Sequence, residues 1–172
     1  STNTFAARYA EASPERILPY GGVHARFTRD PEGDVDRLIE LGIRCLKIHP
    51  PHQCHAANAY TEGLEALGRI YRRCEERGLP VLVHTGTSIF PGARSKWGNP
   101  MELDDVAIDF PKLTIVMAHG GRPLWMEEAF FILRRHPNVY LELSGIPPAR
   151  LLEYFPRLAD IGVLVPLLCR AA

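Results

Sequence analysis

The sequence has 172 residues, of which 46% are hydrophobic and 23% are charged, a composition typical of a soluble globular domain and incompatible with wholesale disorder. Lys plus Arg number 20 and Asp plus Glu number 20, so no net charge indicates binding to nucleic acid or to anionic membranes. We expect a single domain over residues 1–172 in a cytoplasmic protein, because the sequence shows neither a membrane-spanning apolar run nor a signal-like N-terminus.

Five short apolar runs recur along the chain, and their first residues lie 26 to 38 positions apart. That interval is the length of a strand plus a returning helix. Most of the runs are almost continuously hydrophobic, which is typical of parallel strands covered on both faces. The runs cover residues 17–23, 43–48, 81–83, 113–118 and 139–143.

Helical patterns separate these runs. Their periodicity predicts helices over residues 5–12, 34–41, 61–77, 124–135 and 148–158, together with a short helix whose first turn contains Asp104 and Asp105. Thr61 is the predicted N-cap of the third of these helices. Residues 161–168 form a further apolar run, although Pro166 argues against a central strand. The alternation predicts an α/β fold, either a doubly wound open sheet or a (β/α)8 barrel. No GxGxxG or P-loop motif follows a strand, which argues against a nucleotide-binding domain.

Polar side chains occur at the end of every predicted strand. Because the carboxyl ends of parallel strands meet at one edge of a sheet, where α/β proteins place their sites, we expect these groups to converge. They are His24, Lys47, His49, His84, His119, Glu142 and Ser144.

Two of these residues are the main candidates for chemistry. His84 in VLVHTG and His119 in MAHGG each precede glycines that allow a sharp turn. Neutral imidazole binds zinc and similar metals and also transfers protons near neutral pH, whereas a lone histidine is more often a hydrogen-bonded structural residue. Lys47 lies inside an apolar strand, so it needs a partner or a ligand, and both interpretations stay open. The PHQCH segment (residues 51–55) lacks zinc-site spacing and is predicted to be a surface loop.

A long irregular segment, residues 86–100, follows the third predicted strand and contains Arg94, Lys96 and Trp97. Long loops without periodicity are typical of substrate-binding segments. Residues 120–122 (GGR) precede a helix, and their N–H groups would either hold a carboxylate or phosphate or form a tight turn.

The motifs LKIHPPHQ, LPVLVHTG, LTIVMAHGG and NVYLELSG, in this order between residues 17 and 158, resemble the amidohydrolase-related family of metal-dependent TIM-barrel hydrolases. The resemblance implies an α/β fold of the (β/α)8 TIM-barrel type, in which the five runs are the third to seventh strands. It also implies a divalent metal, zinc first and manganese or iron as alternatives.

By the same resemblance, His84 is the expected metal ligand and His119 the expected catalytic histidine. The implied activity is hydrolysis of a small carboxylate-bearing substrate, or of a cyclic amide or ester, through a metal-activated water. A non-oxidative decarboxylase on the same scaffold is the alternative. The expected substrate contacts are Lys47, His49, Arg94, Trp97 and Arg122.

The sequence departs from the family pattern towards both ends. It contains no HxH pair, which supplies the family's first-strand ligands, and no GSD-type motif follows Leu158. We therefore expect an incomplete barrel, truncated at both ends, whose exposed sheet edges favour a homo-oligomer. A further hypothesis is a catalytically inactive relic or a small-molecule binding module.

Overall fold

The computed structural model describes residues 1–156, and the strands of this part of the chain form one five-stranded parallel sheet. Each strand pairs in chain order with the next one along the sequence. All five predicted strands are present, and the α/β, TIM-barrel-type prediction is confirmed. The described residues supply five strands, fewer than the eight of a closed barrel. The strands are β1 (Tyr20–Gly21), β2 (Cys45–Ile48), β3 (Val81–His84), β4 (Ile115–Ala118) and β5 (Val139–Glu142).

Strand β1 is much shorter than the predicted run over residues 17–23. The side-chain amide of Asn3 donates to the carbonyl of Gly22 at 3.0 Å and accepts from its N–H at 2.9 Å. These two bonds hold the backbone just after β1 against Asn3, and the pairing with β2 is confined to Tyr20 and Gly21.

The described helices agree with most of the predicted ones. They are α1 (Thr2–Ala10), α2 (Pro31–Glu40), α3 (Pro50–Gln53), α4 (Glu65–Arg77), α5 (Leu103–Asp109), α6 (Met126–Arg135) and α7 (Leu151–Tyr154). Among residues 1–156, no helix combines the length and the apolar composition needed to cross a membrane.

Two predictions need correction, and two others fall at least partly outside the described residues. Thr61 is not the N-cap of α4, because it lies in a separate 3-10 turn (Ala59–Glu62) that Gly63 ends at φ +95°. The predicted surface loop at residues 51–55 is partly the short helix α3, whose first residues are prolines suited to a helix start. The end of the predicted helix over residues 148–158 and the run 161–168 lie outside the described residues.

One face of the sheet packs against the helices. Alternate strand residues such as Leu46, Val81, Ile115 and Val139 are buried there with apolar residues of α2, α4, α5 and α6. Burial of this apolar surface stabilises the sheet by roughly 25 cal/mol per Å².

The other face carries a more polar and more exposed row. Lys47, Leu82, Val116 and Tyr140 are register partners across β2 to β5 and so lie side by side. Lys47, Leu82 and Tyr140 are only partly buried. This face leads directly to the carboxyl edge of the sheet.

Candidate functional site

Three histidine rings meet at the carboxyl edge of the sheet. The rings of His49 and His84 stack with centroids 3.9 Å apart and an interplanar angle of 13°, and His84 meets His119 edge-on at 4.9 Å. Strand register accounts for the first contact: Lys47 pairs with Leu82, so the residues two positions later, His49 and His84, lie next to each other on the same face.

His119 reaches this cluster through an unusual turn. Its backbone has φ +67°, and Gly120 and Gly121 follow at φ +54° and +72°, so three consecutive residues lie in the left-handed region. For a residue with a Cβ this conformation costs about 1–2 kcal/mol. Without the turn, strand alternation would direct the residue after Ala118 to the opposite face of the sheet.

Thr85 holds this turn in place. Its hydroxyl donates to the carbonyl of Ala118 at 2.7 Å and accepts the N–H of Gly121 at 2.9 Å, and the side chain is buried. The N–H of Gly121 is therefore already engaged within the protein. At Gly121, this contact favours the interpretation of residues 120–122 as a tight turn over the interpretation as an anion-binding site.

The end of β5 supports the His119 ring. Its Nδ1 lies 3.0 Å from the carbonyl oxygen of Ser144 and 2.8 Å from the hydroxyl of the same residue. The Ser144 hydroxyl donates to Glu142 at 2.9 Å. The carboxylate of Glu142 also accepts the backbone N–H groups of Ser144 at 2.7 Å and of His119 at 3.2 Å.

The cluster is held in a weakly hydrated environment that disfavours positive charge. Burial is the largest cause of the lowered pKa of all four basic groups here. It lowers the pKa of His84 to about 3 and that of His49 to about 4, with neighbouring basic groups adding to the effect. Burial also lowers the pKa of His119 and brings that of Lys47 to about 8, although Glu142 opposes both shifts. The three imidazoles are thus neutral at pH 7.

His84 taken alone meets the requirements of a metal ligand. Its Nε2 lies 3.3 Å from the carbonyl oxygen of Thr87, so the neutral ring donates from Nε2 and keeps a lone pair on Nδ1. Metal-binding histidines commonly donate their other N–H to a backbone carbonyl in this way.

The described residues taken together do not fit a metal ion. Within residues 1–156, no group of three or more His, Cys, Asp or Glu side chains is arranged to hold one. The stacked rings of His49 and His84 have nearly parallel planes, so their lone pairs do not converge on one ion at about 2.0–2.1 Å. The segment containing His52, Cys54 and His55 forms no such group either.

The expected substrate contacts fall into two regions. Lys47 and Arg122 lie close enough to His119 to lower its pKa by repulsion, which places them with the histidine cluster. The Nε of Arg122 is buried and has no hydrogen-bond partner among the described residues. Arg94 is exposed on the loop. Trp97 lies apart, lining a pocket of about 310 Å³ that Arg26 and His55 also line.

Sequence reasoning left Thr85, Glu142 and Ser144 without a role. The last two were visible as polar strand ends, but their contacts with His119 depend on the left-handed turn. Thr85 directly follows His84 in VLVHTG, and a polar residue after a buried strand was the available signal.

Comparison with known proteins places these features in a family. The sequence model of a protein family described as amidohydrolase matches residues 1–168 of this chain. A search of curated protein sequences gave no significant match.

Solved structures give the same fold. An uncharacterised TIM-barrel protein from Bordetella bronchiseptica is 30% identical, with a TM-score of 0.69 over 82% of this chain and 48% of its own. A protein assigned as a metal-dependent hydrolase from Lactobacillus casei is 18% identical (TM-score 0.59, 73% of this chain, 40% of its own). An amidohydrolase II is 16% identical (TM-score 0.61, 92% of this chain, 58% of its own). The last two bear on the fold alone. The chain spans about half the length of the solved structures that it matches.

Proposed function

The chain belongs to the amidohydrolase family, and on that premise we propose that it carries part of the active site of a hydrolase. The substrate would be a small carboxylate-bearing compound or a cyclic amide or ester. The observation that carries the proposal is the contact between His84 and His119, whose rings meet at the carboxyl ends of β3 and β4 with centroids 4.9 Å apart. In α/β proteins this edge is where catalytic groups lie.

His119 is the proton-transfer residue in this proposal. Burial lowers its pKa below the ordinary 6.5, so at pH 7 the ring is neutral and able to accept a proton. Its left-handed backbone, at φ +67°, supports the assignment because strained residues of this kind cluster at functional sites.

The family implies a divalent metal, and among the described residues we assign only His84 to it. The remaining ligands would come from outside residues 1–156, since that part of the chain holds no three-ligand group. Zinc is the proposed metal, with manganese or iron as alternatives.

Basic groups near the histidines support an anionic substrate. Lys47, with a pKa of about 8, is mostly protonated at pH 7. Arg122 lies close enough to His119 to lower its pKa by repulsion, so its guanidinium adds a second positive charge that favours a carboxylate. We assign these two residues, with His49, to substrate binding, and Arg94 and Trp97 to the more distant part of the substrate.

The test is a hydrolysis screen of the purified chain against small lactones, esters, cyclic amides and carboxylic acids, with zinc, manganese or iron added. We expect acid release that falls about 10²–10⁴-fold in His119→Asn, the usual contribution of a general acid or base. Lys112→Ala is the control, because Lys112 is exposed just before β4, at the opposite edge of the sheet. Carbon dioxide release in the same screen would assign the decarboxylase alternative instead.

Metal content, measured by elemental mass spectrometry, tests the assignment of His84. Loss of bound metal in His84→Ala supports it, and unchanged metal content in that variant refutes it.

A second candidate function is a metal-free binding module. It is favoured by the missing ligand group within residues 1–156. Calorimetric binding of a carboxylic acid, lost in Lys47→Met and unaccompanied by turnover or bound metal, would replace the hydrolase with this function.

A further inference from the structure

A hydrogen-bonded chain runs from Glu142 through Ser144 to the ring of His119. We propose that Glu142 and Ser144 are positioning residues that hold His119 as its Nδ1–H tautomer, so that Nε2 keeps the free lone pair. The inference deepens the proposed function, since it depends on that function for the role of His119 and names the residues that prepare this group for proton transfer.

The backbone carbonyl of Ser144 determines where the ring proton lies. Its oxygen is 3.0 Å from Nδ1 of His119, which is hydrogen-bonding distance. A carbonyl oxygen only accepts, so Nδ1 must donate. A neutral imidazole carries one N–H, and Nε2 is therefore unprotonated.

The hydroxyl of Ser144 agrees with this assignment. Its oxygen lies 2.8 Å from Nδ1 of His119 and 2.9 Å from a carboxylate oxygen of Glu142. The carboxylate only accepts, so the hydroxyl proton points to Glu142. The lone pairs of the hydroxyl oxygen are then free to face the Nδ1–H group. Each of these two donors, the ring N–H and the hydroxyl, therefore has an acceptor.

Glu142 also fixes the backbone around the ring. One carboxylate oxygen accepts the N–H of Ser144 at 2.7 Å, and the other accepts the N–H of His119 at 3.2 Å. The same side chain therefore joins the end of β5 to the left-handed turn after β4. The orientation of the ring therefore depends on Glu142, and its tautomer depends on the Ser144 carbonyl together with the hydroxyl that Glu142 orients.

The test is NMR of the full chain labelled with ¹⁵N-histidine, at a pH where His119 is neutral. Long-range proton–nitrogen correlations distinguish the protonated ring nitrogen from the bare one, and His119→Gln identifies the signals of this ring among the seven histidines. We expect a protonated Nδ1 and a bare Nε2 in the wild-type chain. A bare Nδ1 would overturn the proposal without any further variant.

Two substitutions separate positioning from general structural support. Glu142→Gln introduces an amide donor where only acceptors fit, so the Ser144 hydroxyl turns its proton towards Nδ1. It then competes with the Ser144 carbonyl, and the Nδ1–H fraction falls. Ser144→Thr retains the hydroxyl and should keep the wild-type tautomer. An unchanged tautomer in Glu142→Gln would refute the role of the carboxylate.

Asp104→Asn is the matched control, because Asp104 contacts a different histidine, His136, at 2.6 Å. It should alter the signals of His136 and leave those of His119 unchanged. The tautomer is read without substrate or turnover. A chain with the expected tautomer and no hydrolytic activity would therefore refute the proposed function and leave the positioning roles intact.

Discussion

Replacing Lys47 with methionine should make the folded protein more stable at neutral pH. Burial lowers the pKa of Lys47 from 10.5 to about 8, and the nearby Glu142 and Cys45 offset only part of this effect. The gap between 10.5 and about 8, at about 1.36 kcal/mol per pH unit, corresponds to about 3 kcal/mol of stability. Methionine fills a similar volume and carries no charge to desolvate.

The pH dependence of this difference follows from proton linkage. Because the folded pKa is the lower one, the unfolded chain holds the proton between about pH 8 and 10.5 and the folded chain does not. Wild-type stability therefore rises with pH across this window. The stability contribution of neutral Lys47 is fully present above the unfolded pKa and is lost as the pH falls through about 8. The advantage of the variant should be largest at pH 7 and disappear above pH 10.5.

Urea unfolding followed by tryptophan fluorescence measures this difference across the pH range. Lys112→Met is the control, because Lys112 is exposed and its replacement should show no such pH-dependent gain. If Lys47→Met is no more stable than the wild type at pH 7, or if its advantage does not shrink as the pH rises, the burial argument is wrong.

Three further predictions concern the surroundings of the site. Thr85→Val removes both hydrogen bonds of a buried hydroxyl and should lower stability by about 1–3 kcal/mol, measured by thermal unfolding; an unchanged melting temperature would contradict the role given to the hydroxyl. Gly98→Ala should destabilise more than Gly92→Ala, since a Cβ at Gly98 would lie 1.9 Å from the Gly86 carbonyl oxygen, whereas Gly92 at φ +84° has nothing within 4 Å; circular dichroism melts of both variants compare them, and equal losses would count against the clash. Burial holds the folded pKa of His84 at about 3, below 6.5, so wild-type stability should fall as the pH drops below 6.5. His84→Asn should reduce this fall in urea titrations, and an unchanged loss of stability at acid pH would contradict the burial of this ring.

Much of the fold was accessible from the sequence because parallel strands leave a strong signal. Nearly continuous apolar runs located all five strands, and the polar residues that end them predicted a common edge. The neighbouring positions of His49 and His84 follow from strand alternation and register alone. These features depend on local sequence and on the general geometry of α/β sheets.

Features that depend on a single backbone conformation were not accessible. The motif MAHGG suggests a positive φ for its two glycines but not for His119. The positive φ of His119 is nevertheless what brings its ring to His84 and Ser144. The start of α4 was missed for a similar reason. Thr61 has the chemistry of an N-cap, but the left-handed residue Gly63 ends a 3-10 turn between it and the helix.

The energetic character of the carboxyl edge supports its assignment as the functional part of this chain. Two features there oppose folding at neutral pH: the buried amine of Lys47 and the left-handed backbone of His119. A structural edge would be more stable with an apolar residue at position 47 and glycine at position 119. Residues that cost stability commonly occur where activity requires them, so the presence of both features within one cluster supports the proposed role of His119 and Lys47. If Lys47→Met is more stable and also loses carboxylate binding, stability and function will have been shown to conflict at the same residue.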